Sequence, residues 1–287
     1  MKYILYHGIP IVLFACGFTL QSICLHITTK LYIDDFWEQS QLNNTYNEGR
    51  LIDIIGSNIK ISYVVPIILL DYIGFMPFFV FVCLTIISES SNKKNMNVYL
   101  KTMMIATILA IFKGILDVAT IIPDSSGINM CKSRLTVEIY NYIKSLDFKN
   151  NFFRTLKEII KMEIIKINGK KVRYCSDMLL SGHIYFVVLF CLGNYKMIIR
   201  SCDNLKGLRL WITKISLILY VIIAICLIEI NKFHYTVDIL LSIIFTILLW
   251  QNAFIDNIAS KYGKQYYEND INTIFDCESN EDSSSNE

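Results

Sequence analysis

Apolar residues in this chain gather in six long runs parted by polar segments, without the short alternations of a soluble domain. The runs cover about 3–25, 61–87, 103–122, 178–195, 210–229 and 233–255. Each is long enough, at 1.5 Å per helical residue, to cross a hydrocarbon layer of ~30 Å. The pattern predicts an all-α integral membrane protein: six transmembrane helices with a long polar loop between helices 3 and 4. Residues 1–255 would form one membrane catalytic domain. Residues 256–287, acidic and serine-rich, read as a disordered cytosolic tail. The first run, with His7 and Pro10 near its start, is too long for a signal-peptide core and lacks a small-residue cleavage site, so it is expected to stay as a helix. No internal repeat is evident.

Composition agrees with this reading: 54% of residues are hydrophobic and only 18% charged, and the mean hydropathy is +0.44. A net charge of +2 says little about partners, and no basic, aromatic-interleaved surface points to nucleic acid. The short loops 88–102 and 196–209 are basic, whereas 26–60 is net acidic. The positive-inside rule therefore places both chain ends in the cytosol, although the basic loop 124–177 argues the other way. Within that loop, Phe152–Ile167 has apolar residues at helical spacing with lysines between, a pattern for a helix lying on the membrane surface. Nine cysteines form no CxxC pair and no Cys/His metal spacing, so neither a metal site nor a cofactor is expected. Cys131 and Cys175 bracket the segment before the fourth run; if it is lumenal, a disulfide between them is expected.

Charges inside the apolar runs mark candidate chemistry, because each costs about 2.5–3.5 kcal/mol on insertion scales. Asp71 lies in the second run, either facing a reaction chamber or tied to another helix. Lys113 and Asp117 lie in the third at i, i+4, a spacing that suits a local ion pair. Two blocks stand where later runs begin: Tyr174-Cys175-Ser176-Asp177-Met178-Leu179-Leu180-Ser181-Gly182-His183 and His234-Tyr235-Thr236-Val237-Asp238. On a helix, His234 and Asp238 would share one face. A carboxylate there can hold one imidazole nitrogen and leave the other to attack or to take a proton. The fourth and sixth runs point the same way, so His183, His234 and Asp238 fall at one membrane face. A second histidine is a natural acid for a leaving group. Such a set suits attack on the phosphorus of a lipid headgroup.

The first block, CSDMLLSGH, is similar to the CGDYLxSGHT block of the sphingomyelin synthases, and HYTVD is identical to the core of their final block. Those enzymes share a histidine-histidine-aspartate triad with the type 2 phosphatidic acid phosphatases. The resemblance implies catalytic roles for His183, His234 and Asp238, with Ser181, Gly182 and Tyr235 beside substrate. Phe112-Lys113 resembles a Tyr-Arg pair whose cation is expected to hold the lipid phosphate; Lys keeps the charge and loses the bidentate fork. Asp71, before Gly74, matches a glutamate of the family and would attract a quaternary ammonium headgroup. Asp177 matches the block's aspartate, as a choline contact, an orienter of Arg173 or a helix cap. Ser176 replaces the family's glycine. Leu51-Ile52-Asp53 keeps only the Leu and Asp of the PLPD block and receives no role. What the resemblance implies is a transferase that passes phosphocholine from a phospholipid donor to ceramide, in the Golgi or plasma membrane with a lumenal or extracellular active site. Donors with ethanolamine or inositol headgroups are the nearest alternatives. A lipid phosphatase is a rival, although its KxxxxxxRP-type block and an Arg immediately before His234 are both missing. An inactive lipid-binding scaffold is a third reading.

Overall fold

The computed structural model describes residues 2–37, 53, 66–91, 95–122, 135, 137–148, 150–165, 174, 179–201, 207–231 and 234–264. Among these residues there are helices and no strands. The helices are α1 (Lys2–Leu31, continued by a π-helical turn Tyr32–Trp37), α2 (Ile67–Ser91), α3 (Met96–Ala119), α4 (Val137–Ser145) and α5 (Phe152–Ile165). They are followed by α6 (Gly182–Ser201), α7 (Leu208–Ile230), α8 (Thr236–Trp250) and α9 (Ala253–Lys264). Five of these helices are long and apolar enough to cross a membrane, and α8 with α9 makes a sixth if that bent pair is one span.

The bundle is organised around α6, whose residues from Ile184 to Cys191 are all buried. α2 and α3 flank it through Phe81, Tyr99, Leu109 and Phe190, and α7 and α8 through Val187, Ala224 and Ile239. α7 turns Trp211, Ile215 and Ile222 outward, as a lipid-facing helix must. α1 and α3 run parallel and approach closely at glycines: a Cβ on Gly114 would meet the Gln21 Cα at 3.0 Å, and one on Gly17 the Thr107 carbonyl at 3.3 Å. Small residues serve this purpose in lipid, where burial of apolar surface alone does not drive helices together.

Pro77 shows how the apolar interior meets the demands of the backbone. Having no N–H, it leaves the Ile73 carbonyl one turn earlier without its helical donor. The Tyr220 hydroxyl of α7 donates to that oxygen at 2.6 Å, and the Asn194 side-chain amide of α6 donates to the Pro77 carbonyl at 2.9 Å. A break in one helix is thereby turned into two ties between helices.

Several boundaries depart from the sequence reading. α1 continues to Leu31 because Tyr32 and Ile33 bury against Leu135, Ile139 and Ile143, a cluster that also creates the unforeseen α4. The amphipathic helix in the long loop is found as α5, preceded by a turn in which the Asp147 carboxylate accepts from the Asn150 N–H. The fourth span starts at Gly182, so His183 sits in its first turn and not a turn inside it. The tail does not begin at Asp256: Asn252 accepts from the N–H groups of Phe254 and Ile255 and starts α9, whose Ile255 and Ala259 are buried. The expected Cys131–Cys175 disulfide lies outside the described residues, as do Ser176 and residues 265–287.

Tyr220→Phe should lower the thermal unfolding midpoint in detergent, corresponding to about 1–2 kcal/mol. In a Pro77→Ala background, where the introduced alanine supplies the missing N–H, the same change should be nearly neutral; equal losses in both backgrounds would refute the tie.

Candidate active site

One end of the bundle collects the N-termini of α2, α6 and α8 and the C-termini of α1, α3 and α7. Lys113, near the end of α3, is fully buried. Its ammonium donates to the Leu180 carbonyl at 2.7 Å and lies 3.1 Å from an Asp117 oxygen. The expected ion pair is therefore present, and it is directed at the turn ahead of His183. Gly182 lies against the Lys113 side chain, where a Cβ would make only an ordinary contact with Cε at 3.5 Å.

Ser181 ties this turn to α8. Its N–H donates to the Ser242 hydroxyl at 2.7 Å, and that hydroxyl donates to the Asp238 carbonyl at 2.7 Å. The Ser181 side chain is buried and not presented at the surface. Asp238 is the third residue of α8, and its carboxylate accepts from the Tyr235 N–H at 2.9 Å, one half of a capping box. This cap starts the helix at Thr236 and leaves His234 ahead of it. The two residues do not share a helix face as their spacing implied. The helix start folds back instead, placing His234 Nδ1 3.6 Å from the Asp238 carboxylate, in ion-pair range. Tyr235 is buried beneath the site.

His183 has an acid of its own. Its Nε2 lies 3.4 Å from the Asp71 carboxylate of α2. Gly74, one turn further along α2, is the residue that lets the ring come so near: a Cβ there would stand 2.9 Å from the ring Cδ2. Asp71 is thus tied to another helix, and its partner is the candidate catalytic histidine. Leu70, Ile184 and Ile239, the chain neighbours of Asp71, His183 and Asp238, pack together in one apolar cluster. Asp177 lies outside the described residues.

Asp53 is the residue that sequence reasoning passed over. Its carboxylate accepts from the Thr236 N–H at 2.8 Å and from the Thr236 hydroxyl at 3.0 Å, and so caps α8 from a distant loop. The sequence signal for it was the surviving aspartate of Leu51-Ile52-Asp53. His26 was also missed: buried in α1, it lies 3.3 Å from the hydroxyl of Tyr174, the first residue of the His183 block.

Comparison with known proteins gives a match over the part of the chain that carries the two blocks. Residues 174–255 match a family model described as PAP2 superfamily C-terminal, a range that contains both histidines and Asp238. Members of that superfamily transfer or hydrolyse phosphoryl groups. The match supports a relation to the type 2 phosphatidic acid phosphatases, with lipid substrates and a membrane setting. No curated protein and no solved structure matches the chain.

Lys113→Met should destabilise the protein by about 3–5 kcal/mol, because the buried Asp117 carboxylate loses the cation beside it. Lys113→Met with Asp117→Leu should recover part of that loss in thermal unfolding, and no recovery would contradict the pairing. Asp53→Ala should remove about 1 kcal/mol from the start of α8. Hydrogen exchange at the first-turn amides of α8 should quicken accordingly, with the middle of the helix unchanged.

Proposed function

We propose that the chain is a lipid phosphotransferase of the sphingomyelin synthase type, moving phosphocholine from phosphatidylcholine to ceramide and releasing diacylglycerol. One observation carries this reading: two histidines stand at the starts of two helices at one bundle end, each within reach of its own carboxylate. A donor lipid can set its headgroup there while its tails remain in the bilayer. The matched range, 174–255, supports phosphoryl chemistry at this place.

In the proposed cycle Asp238 faces His234 Nδ1, which directs the lone pair of Nε2 at the headgroup phosphorus. A P–N bond forms as the P–O bond to diacylglycerol breaks. His183, its Nε2 facing the Asp71 carboxylate, acts as the acid and passes a proton from Nδ1 to the departing oxygen. The primary hydroxyl of ceramide then attacks phosphorus, yields its proton to His183 and displaces His234. Histidines of this kind contribute about 10²–10⁴-fold each as acid or base. Lys113 acts in this scheme through the Leu180 carbonyl, by holding the turn before His183; its enclosure beside Asp117 does not favour a phosphate contact. In this reading the site faces the lumen or the cell exterior, which the basic short loops support, and residues 1–255 form the catalytic domain of a Golgi or plasma-membrane enzyme.

Water in place of ceramide would make the same apparatus a phosphatase, a reading favoured by the PAP2 match. Purified protein in liposomes with fluorescent ceramide and phosphatidylcholine, phosphatidylethanolamine or phosphatidylinositol, read by lipid mass spectrometry, separates the two. Choline-phosphate ceramide is expected, absent in His234→Ala and reduced ~10²–10⁴-fold in His183→Ala. Free phosphate or phosphocholine without a ceramide product would replace the transferase with a hydrolase.

A further inference from the structure

The opposite end of the bundle carries a second polar site. α6 ends there with Lys196 and Arg200 one turn apart. α3 enters with Asn97 and Lys101. α8 stops at Trp250, and the chain bends by 52° into α9, which brings Asp256 over the bundle end. These residues line a cavity of about 280 Å³. Among the described lining residues are three cations, Lys101, Lys196 and Arg200, and one carboxylate, Asp256. That carboxylate is engaged by Lys101 at 2.6 Å, and the Lys101 ammonium also lies over the Trp250 ring, 4.7 Å from its centre.

Two features identify the chemistry the cavity would take. Like charges at i, i+4 on a helix oppose one another, and an anion set between Lys196 and Arg200 relieves that repulsion. Lys101 is largely enclosed, but Asp256 is half-exposed, and solvent on that side weakens the pair and its competition with a phosphate. The depth is that of lipid headgroups. Trp250 is an interface residue by type, and α9 turns Phe254 and Tyr262 outward as a helix lying in the interface does. The cavity is near the small end of ligand clefts, ~300–1,000 Å³, with room for a headgroup while acyl chains stay outside. Basic pockets between membrane helices take anionic headgroups for these reasons.

We propose that this cavity binds a phosphate-bearing anion, held there as the headgroup of an anionic phospholipid from the leaflet opposite the histidines. The bound lipid would brace α9 against α3 and α6. The site does not depend on the transferase reading, and its test involves no turnover, so the two stand or fall separately.

The test is native mass spectrometry of the full-length protein in detergent, titrated with phosphatidylserine, phosphatidylinositol 4-phosphate or phosphatidylcholine, with inorganic phosphate as a separate arm. The wild type should retain the anionic lipids above the phosphatidylcholine level, and more so at low salt. Lys196→Gln with Arg200→Gln should weaken that retention roughly ten- to thirtyfold at an unchanged thermal midpoint. Asp256→Asn, which removes the competing carboxylate, should strengthen it, a change of sign that misfolding cannot mimic. Inorganic phosphate displacing the lipids at equal concentration would support the phosphate chemistry and make its source the solution. Equal retention by wild type and the double variant, or retention of phosphatidylcholine equal to that of the anionic lipids, would overturn the proposal.

Discussion

The Lys113 ammonium lies wholly inside the bundle, between the Asp117 carboxylate and the Leu180 carbonyl, and the candidate site is built outward from that contact. A buried cation must be matched or it opposes folding, and a backbone carbonyl ahead of a helix must find a donor. Each requirement is met by the other. The turn before His183 is thus fixed to α3, and through the Ser181 N–H and Ser242 it is fixed to α8 as well. Movement of this turn would displace both histidines together.

Around this anchor the two histidines are held in different ways. His183 rests on α2, where Gly74 admits the ring and Asp71 meets one nitrogen. His234 lies outside its helix, where the carboxylate that caps α8 also meets the imidazole. Asp238 therefore serves both helix formation and the site, and Asp53 secures the same helix start from another part of the chain. Polar groups that would be costly in lipid are used at each point to connect helices, as are Tyr220 and Asn194 at the Pro77 break.

The two ends of the bundle differ in kind. One gathers histidines and carboxylates at helix N-termini, fitted to the proposed chemistry on a lipid phosphate. The other gathers lysines, an arginine and a tryptophan around a bend, fitted to the proposed binding of an anionic headgroup. α6 joins them, with His183 in its first turn and Arg200 in its last.

Much of the fold was legible in the chain, because hydrophobic length is a local property: a run of about twenty apolar residues has few options other than a helix in lipid. The two histidine blocks were legible too, since their residues are close in sequence and lie where polar chain gives way to apolar. The i, i+4 spacing identified the Lys113–Asp117 pair directly. Tertiary structure decided what these groups are for. It directed Lys113 at the Leu180 carbonyl, assigned Asp71 to His183 across 112 positions, and brought Asp53 to Thr236 across 183. It also moved His234 off the helix it was expected to share with Asp238, because a capping carboxylate sets where a helix begins. Spacing along a chain reports which residues can share a helix; which carboxylate meets which imidazole depends on how the helices pack, and that is settled only when the bundle closes.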